Sequence, residues 1–145
     1  MNDLEKLLNS ANNISKQIDE LLKKSNYKNY DDLSSLKIDY NDAEQLLLLD
    51  ELKVILDRLE SVKIKIDYLN LPIIYTGFLQ KNSNGRYAIG TKEFSSGAGI
   101  EVLVYDDFCD KKYWIKTRIE HNGKDYYLVG YKNIQMQGLE VRVRN

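Results

Sequence analysis

A chain of 145 residues with 43% hydrophobic and 30% charged residues excludes wholesale disorder and allows one ordinary domain or two very small ones. Its single cysteine, Cys109, excludes an internal disulfide, and no apolar run nears the roughly 20 residues that cross a bilayer. The net charge of −1 hides an asymmetry, because residues 1–75 carry 10 Lys/Arg against 14 Asp/Glu, whereas residues 76–145 carry 11 against 8.

The first residues, Met1 to Lys6, lack the basic-then-apolar order of a signal peptide, so a reducing, cytoplasmic setting without membrane contact is expected. An acidic first half and a mildly basic second half fit a basic partner on one side and nucleic acid or an acidic surface on the other. Chance and solubility account for the same split.

Leu4, Leu7, Ala11, Ile14, Ile18 and Leu21 recur at 3-4 spacing between polar residues. This predicts an amphipathic helix over about residues 3–24. Residues 25–41 are polar and predict a connection with a short helical turn near Asp32 to Leu36. Its tyrosines, Tyr27, Tyr30 and Tyr40, either pack on the helices or form a contact surface. A second helix is expected from Asp42, capped by Asn41 through a capping box with Glu44 or by Asp42 itself. It ends before Pro72. Leu48, Leu52, Ile55, Leu59, Val62, Ile66 and Leu69 form a strict 4-3 seam in it. Two such helices fold back as a coiled-coil-like antiparallel hairpin over residues 1–71. The seam serves packing within the hairpin, a homodimer, or a groove for a foreign helix.

From residue 72 the period shortens to that of strands, and residues 72–145 are expected to form a small antiparallel β domain. Strands are predicted at Ile74–Gln80, Arg86–Ile89, Ile100–Tyr105, Tyr113–Glu120, Asp125–Tyr131 and Leu139–Arg144. Tight turns at Asn82–Gly85 and His121–Lys124 separate them. The fold class is therefore α+β, a helical hairpin followed by an SH3-like barrel or a strongly bent sheet.

Alternation along the Trp114 strand puts Tyr113, Ile115, Thr117 and Ile119 toward the core, and Trp114, Lys116, Arg118 and Glu120 outward. Val141 and Val143 face in, Arg142 and Arg144 out. Arg86, Lys116, Arg118, Arg142 and Arg144 are thus expected on one wall beside Trp114, Tyr126 or Tyr127. Such a wall binds single-stranded RNA or DNA by charge and stacking, unless Glu101, Glu120 and Glu140 neutralise the arginines across strands.

Catalytic chemistry finds no foothold in these residues, and no metal or cofactor is expected. His121 is the only histidine and falls in a turn. Cys109 sits among Asp106, Asp107 and Asp110, whose carboxylates oppose a thiolate and do not follow the calcium-loop spacing. Ser95-Ser96-Gly97 lacks the helix that follows a phosphate loop. A ribonuclease is the remaining enzymatic reading, since carboxylate-based sites leave faint traces in sequence.

The second half resembles an uncharacterised domain family of plasmids, conjugative transposons and phages of Gram-positive bacteria. The resemblance rests on Gly77-Phe78-Leu79, Gly85-Arg86-Tyr87, Ser95-Ser96-Gly97, Ile100-Glu101-Val102 and Trp114. It continues through Thr117 to His121, Asp125 to Leu128 and Gly138 to Arg144. It implies an accessory protein of a mobile genetic element and assigns no catalytic residue. By analogy with such elements it points to an inhibitor of host defence, an anti-CRISPR protein that binds Cas9 or blocks its guide RNA.

Overall fold

The computed structural model describes residues 1–27 and 33–145, with two helices followed by short antiparallel strands. Chain contacts divide it into two units, Met1–Asn70 and Leu71–Asn145.

In the first unit, helix α1 spans Asp3–Ser25 and helix α2 Ala43–Asn70. Asn2 starts α1 with a capping box: its side chain accepts from the Glu5 amide at 2.8 Å, and the Glu5 carboxylate accepts from the Asn2 amide at 2.8 Å. Asn26 ends the helix in the left-handed region, at φ 52°. Of the two candidate caps for α2, the structure selects Asp42, whose carboxylate accepts from the Glu44 amide at 2.9 Å and from Gln45. These donors, the Gln45 side chain foremost, hold the Asp42 carboxyl below its usual range.

The contact between the helices departs from the expected seam. On α1 the covered positions are Leu8, Ala11, Ser15, Ile18 and Leu22. On α2 Leu49 and Leu56 are buried and Lys53, Asp57, Glu60, Lys63 and Asp67 half-buried, with Leu59 and Ile66 of the seam also half-buried. Leu4, Leu7, Ile14 and Leu21 are exposed, as are Leu48, Leu52, Ile55, Val62 and Leu69 of the seam. The shift has a physical cause. Polar groups between the helices satisfy one another: Ser15 Oγ donates to Asp67 Oδ1 at 2.6 Å, and the Asn12 and Asn70 amides bond reciprocally. With Leu46 to Leu49 and Leu56 spread round α2, apolar period alone does not single out its inner face. Tyr27, Leu33, Leu49 and Leu56 form the buried cluster at the connection. Tyr27 thus packs, whereas Tyr40 is exposed. Tyr30 and Asp32 lie outside the described residues, and a turn closes from Leu33 O to the Leu36 amide at 3.0 Å.

The second unit contains β1 (Ile73–Phe78), β2 (Gln80–Lys81), β3 (Tyr87–Ile89), β4 (Lys92–Glu93), β5 (Gly99–Asp106), β6 (Lys111–His121), β7 (Tyr126–Leu128) and β8 (Glu140–Arg144). A five-stranded sheet has the order β1-β8-β5-β6-β7, and a three-stranded sheet the order β2-β3-β4. The expected closed barrel is not formed. The sheet ends at β1 and β7, and the small sheet covers one face instead. The core joins Leu79, Tyr87 and Phe94 from around the small sheet to Ile100, Val102, Ile119, Leu128 and Val141 of the large one. The expected first strand is broken at Leu79, whose amide and carbonyl bond to Leu139 and Gly138.

Gly77 permits the approach of β1 to β3, because a Cβ there would lie 2.4 Å from Ile89 Cγ2. Gly77→Ala should therefore destabilise the β unit by about 1–3 kcal/mol. The penalty should largely vanish in an Ile89→Ala background, as read by urea denaturation on Trp114 fluorescence. Equal penalties in both backgrounds contradict the contact.

Candidate binding face of the β domain

The outer face of the five-stranded sheet is set by register. Arg142 of β8 stands opposite Glu101 of β5, and Glu101 opposite Lys116 of β6. In the adjacent row Trp114 faces Leu103. Because side chains alternate, Arg144, Arg118 and Glu120 share this face, and Tyr127 joins it opposite Glu120.

Glu101 is the hub. It is buried to 5% exposure. Its Oε1 accepts from Arg142 Nε at 2.8 Å and its Oε2 from Arg144 Nε at 2.6 Å. Arg144 Nη1 also donates to the Leu71 carbonyl at 3.0 Å. These charge-assisted bonds fix both guanidiniums, and that of Arg142 lies 4.2 Å from the Trp114 ring centroid. Farther along, Arg118 Nε donates to Glu120 Oε1 at 3.0 Å, and Ser96 Oγ donates to the same carboxylate. The Ser96 hydroxyl and then Arg118 hold the Glu120 carboxyl below its usual range. The Lys132 ammonium sits 5.1 Å from the Tyr127 ring.

The structure thus brings together Trp114, Lys116, Arg118, Tyr127, Arg142 and Arg144, and separates Arg86 and Tyr126 from them. Arg86 precedes β3 in the small sheet and pairs with Glu93 at 3.6 Å. Tyr126 turns to the core face, edge-on to Tyr87 and 4.7 Å from the His121 ring. Of the three expected neutralising carboxylates, Glu101 and Glu120 hold arginines, whereas Glu140 has no ion pair among the described residues. Sequence reasoning missed two features. One carboxylate serves both C-terminal arginines, a sharing already signalled by the two-residue spacing of Arg142 and Arg144. Lys132 reaches Tyr127 from a turn, which left no periodic signal. His121 Nδ1 accepts from the Gly123 amide at 3.1 Å and so shapes its own turn. Among the described residues no group of three or more His, Cys, Asp or Glu side chains is placed to hold a metal.

Residues 77–143 match the family described as Domain of unknown function (DUF5348). The matched segment contains β5, β6 and β7 whole, only the last two residues of β1, and all of β8 but Arg144, which falls one residue outside it. Both helices of the first unit also lie outside it. No curated protein and no solved structure matches the chain. No helix among the described residues is long and apolar enough to cross a membrane.

Proposed function

We propose that the protein is a non-enzymatic accessory protein of a mobile genetic element that inhibits a host defence nuclease. Cas9 is the specific partner, engaged through the outer face of the DUF5348 segment. The supporting observation is the Trp114–Arg142–Glu101 arrangement. An aromatic ring capped by a guanidinium, with the charge balanced by a buried carboxylate, has the make-up of a protein-binding hot spot. A phosphate-tracking groove would leave its cations uncommitted. The test is binding of the full chain to Cas9 with and without guide RNA. Trp114→Ala should weaken binding by about 30-fold, as expected for a central aromatic anchor, while circular dichroism stays unchanged. Absence of binding together with unprotected target DNA overturns the reading.

Nucleic-acid binding is the second reading, favoured by the Lys132–Tyr127 contact beside Arg118. In that case gel-shift affinity for RNA or DNA falls steeply with salt, and Arg118→Ala reduces the salt slope.

A further inference from the structure

The helical unit has two unlike broad faces. The exposed apolar positions precede the inner ones by one residue on both helices: Leu7, Ile14 and Leu21 before Leu8, Ser15 and Leu22, and Leu48, Ile55 and Val62 before Leu49, Leu56 and Lys63. In an antiparallel pair, one residue back turns about 100° toward the same side on either helix. Both apolar stripes therefore share one face. A shallow groove lined by Leu4, Leu7, Leu8, Ala11 and Leu69 joins them at one end. The opposite side carries Lys16, Asp19, Glu20 and Lys23 on α1, while on α2 Leu46, Val54 and Ile64 are exposed outside both the contact and the seam. A hairpin that is apolar across two helices on one side is half of a four-helix bundle.

We propose that a second copy of this chain covers the face, with α2 antiparallel to its counterpart about a two-fold axis. The α2 seam fits itself in this orientation. Leu48 meets Ile66 of the other copy, Leu52 meets Val62 and Ile55 meets Leu59, a run of layers about 30 Å long at the helical rise. The flank of α2 facing α1 is filled by Leu49 and Leu56, which are buried. The outer flank carries Glu51, Arg58 and Lys65, all exposed, and none has an ion pair among the described residues. In the antiparallel register Glu51 of each copy faces Lys65 of the other. Arg58 meets its own counterpart at the axis, the one like-charge contact. A parallel seam would instead set this flank against the flank already filled by α1. Charge and shape thus select one partner and one direction.

Sedimentation equilibrium of the full chain in reductant should give twice 16.9 kDa. Leu52→Asp should give a monomer with unchanged helical circular dichroism. Glu51→Lys and Lys65→Glu, exposed changes that spare the fold, should each weaken the dimer by about tenfold, because each sets like charges opposite one another at both ends. Mixing the two variants should restore it as a heterodimer, a result that only the antiparallel register gives. Arg58→Ala should tighten it. A wild-type monomer at 100 µM-range concentrations (on the order of those where such bundles assemble) leaves the face to a different helical partner and overturns the proposal. So does a mixture no tighter than its components.

Discussion

Replacing Glu101 by Gln is expected to destabilise the β unit by about 3 kcal/mol, the lower end of the range for breaking a buried ion pair. The carboxylate side chain is 7% exposed, and the two guanidinium side chains it holds are 20% and 17% exposed. Gln keeps the shape but supplies one acceptor oxygen and no charge, so two cations remain beside each other in a poorly solvated place. Their residual hydration is the reason for the lower end. The cost should belong to the stranded arginines. Glu101→Leu combined with Arg142→Met and Arg144→Leu should therefore recover most of the loss, as apolar replacement of buried ion triads often does. Urea denaturation read on Trp114, the only tryptophan in the chain, isolates this unit. A single variant as stable as the wild type contradicts the account.

Phe94→Ala should cost about 3–5 kcal/mol in the same measurement. Phe94 is 2% exposed and follows β4, with its amide donating to the Tyr87 carbonyl at 2.9 Å. Its ring belongs to the core that joins the small sheet to the large one, and its removal leaves a cavity that neither sheet can close alone. Phe108, 97% exposed in the β5–β6 turn, is the control, and its replacement by Ala should shift stability by no more than about 0.5 kcal/mol. Similar effects at the two positions contradict the assigned core.

The parts of this fold that were legible in the sequence are those where one signal dominates. The 3-4 spacing from Leu4 to Leu21 and the stop at Pro72 gave helices within a residue or two of α1 and α2. The Asn84-Gly85 and Asn122-Gly123 pairs marked real turns, with φ +75° and +92° at the glycines. Alternation placed Ile119 and Val141 in the core and Arg142 and Arg144 outside. What stayed hidden depends on partners distant in sequence. Strand β4 has two residues, too few to alternate. The inner face of α2 is set by Leu49 and Leu56 toward one end and by the bonds of Asp67 and Asn70 to Ser15 and Asn12 at the other, and apolar period did not single these leucines out from their neighbours. Whether Tyr126 or Tyr127 joins the arginines depends on register with β6, and the position of Arg86 depends on a second sheet. Charge balance by Glu101 could be named beforehand, but not its hold on two arginines at once.

The bonds between Ser15 and Asp67 and between Asn12 and Asn70 also act as a gauge of alignment. Aliphatic side chains tolerate sliding, since one leucine replaces another a heptad along. A seven-residue slip here would bring Asp67 against Leu8 or Leu22, stripping its carboxylate of the Ser15 hydroxyl and facing it with hydrocarbon. A few polar atoms therefore limit the pair to one offset, at some loss of cohesion, and keep the leucines on the other side evenly spaced and ready to be read.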